Sequence, residues 1–453
     1  MPVLVAARPG TEKPRSERGP SAPAPDEPRL TAPWCRATWL IGLGAFVVRG
    51  AVVLAQPLQL RNDAADYQRL AASLATGHGF GISHFAPGGG PTALRPPLYP
   101  LALAALYKVM GTHLLAARMA GALLGALTVV LLVVVTWLLC GRRVGLVAGA
   151  LAAVFPPQIL ATTSLMSEAL ALPLELSAFL LAVVYRRTGR LVWAAGSGGV
   201  LGLLVLTRPS LAVLVVALAV LLYRRLPSWR QLAAAAVLVA AGTVVVVPWV
   251  ARDRLSLHAW VPVTTQSGYV LAGTYNATSA HDARFPAAWR PANLDPADAA
   301  LLRDHPRATE VQTDALLQFA ALHYASAHPA YVVKVAYENS RRLLDLEPVG
   351  QIRADTASEY GVPGPWGTAE MVSGLMLLLL ALGGLATAAA RRVPVAWKLA
   401  PAILWVSTVV LQAVPRFRAV IDPFLLPFAA AAVVAGAGWW SRRRQRVDAP
   451  SGP

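Results

Sequence analysis

The chain has 453 residues, of which 56% are hydrophobic and 14% are charged. This composition is typical of a membrane protein with many spans and excludes an ordinary soluble domain. The net charge of +17 would suggest a nucleic-acid partner in a soluble protein, but most of the arginines stand in short clusters between apolar runs. Such clusters report membrane topology, so no nucleic-acid partner is expected.

The chain begins with residues 1–37, which are rich in Pro, Arg, Glu and Ser and lack aliphatic periodicity. This pattern predicts a disordered cytoplasmic tail. The next segment, 39–57, is long enough to span a bilayer, although Arg49 interrupts it. Apolar runs further along the chain predict about ten transmembrane helices in total. The other nine lie roughly at 114–139, 146–160, 169–185, 191–206, 211–223, 232–250, 371–390, 396–414 and 420–440.

The loops between the predicted spans alternate between arginine-rich and less basic. If the N-terminus is cytoplasmic, every arginine-rich turn falls on the cytoplasmic side, as the positive-inside rule requires. The chain then divides into a cytoplasmic tail, an N-terminal transmembrane module with a first external loop, an external helical region, C-terminal transmembrane helices and a basic cytoplasmic tail. In that order the segments are 1–37, 38–250 with the loop at 58–113, 251–366, 367–440 and 441–453.

The first external loop combines acidic, amide, hydroxyl and arginine side chains directly after the first span. Asp63 precedes residues 64–74, whose apolar positions recur at helical spacing before glycines end the pattern. The segment 95–100, RPPLYP, then begins a second short helix with prolines near its first turn. We therefore predict interfacial helices in this loop, with Asp66 on a solvated helix face.

Five motifs share an order and a spacing with a known class of enzymes. They are DAADY from Asp63, RPPLYP from Arg95, SLMSEAL around Glu168, LTRPSL around Arg208 and RFRAVIDP from Arg416. Together they resemble the GT-C-type polyprenyl-phosphate-sugar glycosyltransferases, which include protein O-mannosyltransferases and lipid A aminoarabinose transferases. The resemblance covers most of the chain after residue 38 and implies an all-α polytopic membrane protein with a GT-C-like helical bundle.

The resemblance also implies a reaction. A sugar, hexosyl or pentosyl, would pass from a polyprenyl-phosphate-linked donor to a glycan, lipid or protein acceptor outside the membrane, with inversion at the anomeric carbon. The setting would be a bacterial plasma membrane, since the alanine, arginine and proline bias fits a GC-rich genome. Three alternatives stay open: a polyprenyl-linked glycan transporter or flippase, an oligosaccharide polymerase or ligase, and a noncatalytic protein that binds prenyl phosphates.

Two carboxylates are the candidate catalytic residues. Asp63 matches the aspartate of the first loop in the family, where it would accept the proton of the attacking hydroxyl. Its alternative role is that of a helix N-cap. Glu168 stands where the family has a second acid, and it would share a metal, orient the acceptor or contact the donor sugar. Its alternative role is to stabilise a helix N-terminus.

Four arginines are the candidate ligands of the donor phosphate. Arg95 stands where the aminoarabinose transferases carry lysine, and an arginine can bind phosphate bidentately. Further cations follow on the same side at Arg208, Arg416 and Arg418, of which one or two would meet the leaving group while the others anchor lipid head groups. Snorkelling at the interface is the alternative for Arg95. Tyr67 and Tyr99 are expected to shape the site.

Neither a metal site nor a nucleotide site is predicted. The histidines of the long loop have no ligand spacing, and the two cysteines, Cys35 and Cys140, are far apart in sequence. A divalent cation at the carboxylates stays open. A phosphate-binding loop and a dinucleotide fingerprint are both absent from the sequence, so the donor is expected to arrive attached to its lipid.

Overall fold

The structure is a computed structural model that describes residues 32–81, 90–223 and 229–447. Within these ranges the regular elements are all helical, so the predicted all-α class is confirmed. The predicted tail 1–37 lies outside the described residues up to residue 31, and its last six residues already belong to the first helix. Residues 448–453 of the predicted basic tail also lie outside.

The first ten helices contain the N-terminal membrane module and the first external loop. The loop helices α2 and α3 lie where the apolar spacing and the RPPLYP motif predict them. The ten helices are α1 (Ala32–Ala55), α2 (Asn62–Ala75), α3 (Leu98–Met110), α4 (Leu114–Cys140), α5 (Arg142–Ala153), α6 (Pro156–Thr163), α7 (Glu168–Thr188), α8 (Leu191–Thr207), α9 (Leu214–Leu222) and α10 (Trp229–Leu257).

The second ten helices contain the external region and the C-terminal membrane helices. They are α11 (Ser267–Thr274), α12 (Ala277–His281), α13 (Pro296–Asp304), α14 (Glu310–Ala327), α15 (Pro329–Leu343), α16 (Val349–Tyr360), α17 (Pro365–Leu385), α18 (Ala388–Arg392), α19 (Val395–Val409) and α20 (Asp422–Val447). Short 3₁₀ segments accompany them at Pro209–Val213, Ala292–Leu294 and Pro415–Val420.

Six of the described helices are long and apolar enough to cross a membrane: α1, α4, α7, α10, α17 and α20. The pair α5 and α6, bent by 60° at its break, would make a seventh span. The other three predicted spans correspond to shorter apolar segments, Leu191–Thr207, Pro209–Leu222 and Val395–Val409. The chain is therefore a multi-pass membrane protein, and the count of about ten spans stays a prediction.

Close helix packing in the bundle depends on small residues. A Cβ added to Gly198 of α8 would lie 2.0 Å from the carbonyl oxygen of Leu238 of α10, and one added to Gly202 would lie 2.6 Å from that of Gly242. The two helices therefore approach backbone to backbone. In a bilayer, where apolar burial does not drive helix association, such contacts provide the van der Waals energy that holds helices together.

Arg49 explains why a charge interrupts the first span. Its guanidinium is fully buried and donates to the Thr162 hydroxyl at 3.1 Å and to the carbonyls of Ala153 and Ala152 at 3.1 and 3.3 Å. Those carbonyls end α5 at the bend before α6, where they lack intrahelical partners. Gly125 leaves room for the guanidinium, because a Cβ there would lie 2.5 Å from Arg49 Nε.

The external region fastens the first external loop. At the start of α14, the carboxylate of Glu310 accepts hydrogen bonds from the Ala93 amide at 2.8 Å and from the hydroxyls of Thr92 and Thr265, each at 2.5 Å. These contacts fix the backbone directly before Arg95. The long loop thus contains the helices α13, α14 and α15, and it helps to position the site.

Candidate active site

A cavity of about 430 Å³ lies where the ends of several helices meet. Its walls come from the first turn of α2, the segment before α3, the start of α7, the end of α8 and the 3₁₀ segment Pro415–Val420, together with parts of α11, α14 and α19. The structure thus brings five predicted residues to one cavity: Asp63, Tyr67, Arg95, Arg208 and Arg416.

Asp63 lies between two guanidinium groups. Its carboxylate oxygens are 2.8 Å from Arg95 Nη2 and 2.6 Å from Arg416 Nη2, and 21% of its side chain is exposed to the cavity. Arg61 occupies the N-cap of α2, so Asp63 lies in the first helical turn and not in the capping position. Burial raises the pKa of Asp63, whereas the positive charges of Arg95 and Arg416 lower it. The charges together outweigh burial, so the pKa of Asp63 lies below its usual range.

Asp66 was expected on a solvated helix face, and this expectation is wrong. The side chain is fully buried one turn after Asp63 and accepts from Arg95 Nε at 3.1 Å and Nη2 at 2.9 Å. Arg95 therefore forms ion pairs with two carboxylates of α2, those of Asp63 and Asp66, and its side chain is only 3% exposed. The helical spacing of residues 63 and 66 places both carboxylates on one face, where one guanidinium meets both.

Glu168 begins α7 and is buried beneath the cavity wall. Its Oε1 lies 2.6 Å from Arg208 Nη1 and 3.5 Å from Arg416 Nε. The adjacent Ser167 hydroxyl accepts from Arg208 at 3.3 Å. Glu168 contacts the arginines and is absent from the cavity lining, so it can position the two guanidinium groups that face the cavity.

Glu359 is a site residue that sequence reasoning missed. It lies at the end of α16, and its Oε2 is 3.2 Å from Arg416 Nη1. Burial raises the pKa of Glu359, Arg416 lowers it, and the carboxylates of Asp63 and Glu168 raise it, so the net pKa is above its usual value. No apolar periodicity predicted α16, so only its position shortly before the predicted span at 371 could have suggested it.

Tyr67 and Tyr99 pack edge to face with ring centroids 5.0 Å apart. Tyr67 lines the cavity, whereas Tyr99 is 4% exposed and lies behind it. Burial and the negative charge of Asp63 raise the pKa of Tyr67, so its hydroxyl stays protonated. This placement suits residues that shape the site.

Arg418 is the one predicted phosphate ligand that does not line the cavity. Its guanidinium is 2% exposed and forms ion pairs with Asp345 and, at 3.2 Å, with Asp422. Arg416 and Arg418 belong to the same short 3₁₀ segment, yet their side chains enter different clusters. Arg418 is therefore not placed to contact a ligand in this cavity.

The residues of the site do not fit a divalent cation. Within the described ranges, no group of three or more His, Cys, Asp or Glu side chains is arranged to hold a metal ion. The two candidate ligands, Asp63 and Glu168, are instead both contacted by Arg416, at 2.6 and 3.5 Å. A guanidinium thus occupies the place between the carboxylates that a metal would need.

Part of the chain is similar in sequence to a known protein family. Residues 94–251 match a family described as dolichyl-phosphate-mannose-protein mannosyltransferase. The matched segment contains Arg95, Glu168 and Arg208, whereas Asp63 and Arg416 lie outside it. No curated protein matches the chain in sequence.

Two solved structures are similar to the chain to different degrees. The apo oligosaccharyltransferase of Archaeoglobus fulgidus superposes with a TM-score of 0.52 at 13% identity, over 92% of this chain and 52% of that one. ArnT of Cupriavidus metallidurans, solved with undecaprenyl phosphate, has a TM-score of 0.43 at 15% identity, over 89% of this chain and 77% of that one. The chain thus spans about half the length of the archaeal enzyme.

At these identities the structural likeness concerns the fold. The family match covers three of the five sequence motifs, those that contain Arg95, Glu168 and Arg208. The chain is a multi-pass membrane protein with a GT-C-like helical fold, and its resemblance to the polyprenyl-phosphate-sugar glycosyltransferases is confirmed.

Proposed function

We propose that the protein is a membrane glycosyltransferase that transfers a sugar from a polyprenyl-phosphate donor to an acceptor hydroxyl. The acceptor belongs to a glycan, lipid or protein of the cell envelope, and the reaction takes place at the extracytoplasmic face of a bacterial plasma membrane. The positive-inside pattern supports this side, because the segments with Asp63, Glu168, Arg208 and Arg416 all alternate with the arginine-rich turns.

The convergence of three arginines carries this proposal. Arg95, Arg208 and Arg416 are far apart in sequence, yet all three line one cavity beside Asp63, at the ends of apolar helices. Buried guanidinium groups beside a lipid-facing helix bundle suit a phosphate attached to a long apolar chain. The acids that hold them in place keep the three groups oriented before the donor arrives.

In the proposed reaction, the acceptor oxygen attacks the anomeric carbon while Asp63 takes its proton. The bond between that carbon and the phosphate oxygen breaks, and its electron pair leaves with the polyprenyl phosphate. Arg95, Arg208 and Arg416 stabilise the charge that develops on the leaving oxygen. One displacement from the opposite face inverts the anomeric configuration.

The ion pairs of Asp63 also affect its strength as a base. Arg95 and Arg416 keep the pKa of Asp63 below its usual range, although its burial acts in the opposite direction. The donor phosphate competes for these same guanidinium groups. Donor binding therefore weakens both ion pairs and raises the pKa of Asp63, so its basicity increases when an acceptor can be used.

The test is transfer of radiolabelled sugar from a polyprenyl-phosphate donor by purified protein and by Asp63→Asn, with membrane extract as the source of acceptor. We expect transfer by the wild type and a decrease of at least about 100-fold in the variant, since loss of a general base typically costs 10²–10⁴-fold. The matched control is Asp304→Asn, because Asp304 is exposed at the end of α13.

Each result has a defined meaning. Transfer by a folded Asp63→Asn protein at the wild-type rate removes Asp63 from the mechanism. Donor binding without transfer by the wild type supports the noncatalytic alternative, and movement of the intact donor across vesicles supports the flippase. Products that grow by several sugars at a time would favour a polymerase or ligase.

A further inference from the structure

Arg416 is shared by three carboxylates, one of which does not line the cavity. The distances from its guanidinium nitrogens to the carboxylate oxygens are 2.6 Å for Asp63, 3.5 Å for Glu168 and 3.2 Å for Glu359. Arg416 lines the cavity, whereas Glu359 is absent from the lining and belongs to α16 of the external region. A change in the charge of Glu359 therefore changes the electrostatic field at an arginine of the cavity.

The contact of Arg416 with Glu359 is looser than its contact with Asp63. Arg416 Nη2 donates a hydrogen bond to Asp63 at 2.6 Å, whereas Nη1 donates to the sulfur of Met166 at 3.1 Å. Glu359 lies 3.2 Å from the same Nη1, and 21% of its side chain is exposed. Glu359 can therefore exchange a proton with water while the hydrogen bond between Arg416 and Asp63 stays in place.

The carboxylates around the cavity arginines outnumber those arginines. The ion pairs of Arg95, Arg208 and Arg416 involve four carboxylates, those of Asp63, Asp66, Glu168 and Glu359. A further arginine, Arg69, is 45% exposed and lies 3.9 Å from Asp66, so solvent screens its charge. A phosphodiester brings one more negative charge to this cluster. Such crowding of like charges favours protonation of one of the acids.

Three of the four acids have firm arginine contacts. Asp66 accepts hydrogen bonds from Arg95 at 2.9 and 3.1 Å, and Glu168 lies 2.6 Å from Arg208. Burial raises the pKa of Asp63, but the positive charges beside it outweigh burial and hold that pKa below its usual range. These contacts favour the charged form of all three acids.

Glu359 is the acid whose surroundings favour the neutral form. The groups that act electrostatically on it or on the adjacent Tyr360 are Asp355 of α16, Asp63 of α2, Glu168 of α7, Arg416 of the 3₁₀ segment and Glu370 of α17. Arg416 is the one cation in this set. Burial raises the pKa of Glu359, Arg416 lowers it and the neighbouring acids raise it, so the net pKa lies above its usual value. Glu359 is thus the acid of the site that takes up a proton first.

We propose that Glu359 is a positioning residue that competes with the donor phosphate for Arg416, and that the site binds its donor when Glu359 carries a proton. The inference rests on the proposed function, because it takes Arg416 to be a ligand of the phosphate. An ionised Glu359 attracts the guanidinium and repels the phosphate, and protonation removes both effects. Donor binding thus takes up a proton from water at Glu359, and release of the phosphate returns it.

Binding of a phosphodiester lipid tests the inference without a sugar or an acceptor. The probe is methyl undecaprenyl phosphate, titrated against full-length protein in nanodiscs from about pH 5 to about pH 8.5. A diester keeps one negative charge over this range, whereas a phosphate monoester titrates near pH 6. We expect the affinity of the wild type to fall about tenfold as the pH rises, which corresponds to an increase of about one unit in the pKa of Glu359 on binding.

Three variants isolate the charge of Glu359. Glu359→Gln keeps the shape of the side chain but cannot ionise, so its affinity should not depend on pH and should exceed that of the wild type about tenfold at the alkaline end. Glu359→Asp keeps a titratable group and should keep a pH dependence. The matched control is Glu347→Gln, which should behave like the wild type. Burial raises the pKa of Glu347 too, and it lies 3.3 Å from an arginine, Arg342, but neither residue lines the cavity.

Calorimetry adds a measurement that a purely structural role of Glu359 would not change. Titrations in two buffers of different ionisation enthalpy report how many protons are taken up when the lipid binds. For the wild type we expect about half a proton per lipid at a pH midway between the pKa values of Glu359 in the free and the bound protein. For Glu359→Gln we expect no uptake.

The outcomes distinguish this inference from the proposed function. If the lipid does not bind to the wild type at any pH, the proposed function fails at its phosphate site. If it binds to the wild type and to Glu359→Gln with the same pH dependence, another group titrates and only this inference fails. Weaker binding by Glu359→Gln at every pH would mean that Glu359 holds Arg416 in place for the phosphate, which also overturns the proposed competition.

Discussion

Two arginine clusters are built on one 3₁₀ segment, Pro415–Val420, and they differ in access to the cavity. Arg416 faces the cavity and contacts Asp63, Glu168 and Glu359. Arg418, two residues later, is enclosed with Asp345 and Asp422 and does not line the cavity. A buried ion pair alone therefore does not mark an active site, whereas an ion pair that lines a cavity can exchange its partner for a ligand.

The enclosed cluster contains three acids around a single arginine. Besides Asp345 and Asp422, Glu370 approaches it, and the Glu370 carboxylate accepts from the Thr356 hydroxyl at 2.9 Å. Gly374 makes room for the guanidinium, because a Cβ there would lie 2.1 Å from Arg418 Nη2. The cluster thus joins the external region to α17 and α20, which is a structural role.

The largest expected effect comes from breaking the enclosed cluster. Arg418→Ala leaves the buried carboxylates of Asp345 and Asp422 without their cation, and removal of one partner of a buried pair costs about 3–5 kcal/mol. We expect a corresponding loss of thermal stability in detergent, measured by intrinsic fluorescence. A variant of normal stability that has lost donor binding would instead place Arg418 in the site.

A smaller effect is expected when the cavity cluster is changed. In Arg416→Lys, a single ammonium replaces the planar guanidinium that reaches Asp63, Glu168 and Glu359 together. We expect the rate of sugar transfer to fall by about 10- to 100-fold, equivalent to about 1.4–2.7 kcal/mol, in a protein that still folds. The control is Arg391→Lys, because Arg391 is exposed on the short helix α18. An unchanged transfer rate would show that the reaction does not require the simultaneous contacts of the Arg416 guanidinium with the three carboxylates.

The smallest effect concerns pH. The pKa of Glu359 is raised in the folded protein, chiefly by burial, so its contribution to stability is present below its unfolded pKa near 4.5 and is lost as the pH rises through the folded pKa. Glu359→Gln should therefore lose less stability than the wild type as the pH rises from 4.5. Each unit of pKa shift corresponds to about 1.4 kcal/mol. Melting temperatures at several pH values measure this, and parallel curves would contradict the expected difference.

Asp63 should behave in the opposite way. Its folded pKa lies below the unfolded value of 3.8, because Arg95 and Arg416 outweigh the effect of burial. Its contribution to stability is therefore present above that unfolded value and is lost only as the pH falls through the folded pKa. The pH window of the Glu359 experiment thus leaves Asp63 ionised, which keeps the two residues separable.

The sequence predicts the helical bundle and the charged residues that line the cavity, because these depend on local patterns. Apolar runs predict where spans end, and Glu168 and Arg208 lie at such ends. Asp66 and Glu359 could not be placed in this way. Asp66 is buried because Arg95, which belongs to a separate segment, packs against it. Glu359 lies on a helix that has no apolar stripe, so the sequence did not predict that helix.

Arg416 and Arg418 show a second limit. In a 3₁₀ helix of three residues per turn, positions two apart are separated by about 120° around the axis, so both cannot face the same cavity. The sequence analysis did not predict this 3₁₀ segment and therefore expected both arginines at the phosphate. Which of the two faces inward is decided by the packing of α6, α15 and α16 around the segment, and no local sequence pattern predicts that packing.

The contacts of Arg49 have a consequence for biogenesis. The guanidinium lies within the first hydrophobic helix, while its hydroxyl partner, Thr162, is synthesised 113 residues later. Until then α1 carries an uncompensated charge, which costs about 2.5–3.5 kcal/mol at the centre of an inserting helix. The first helix should therefore stay beside the insertion machinery until α5 and α6 emerge, and α1 and the bent pair should enter the bilayer as one unit.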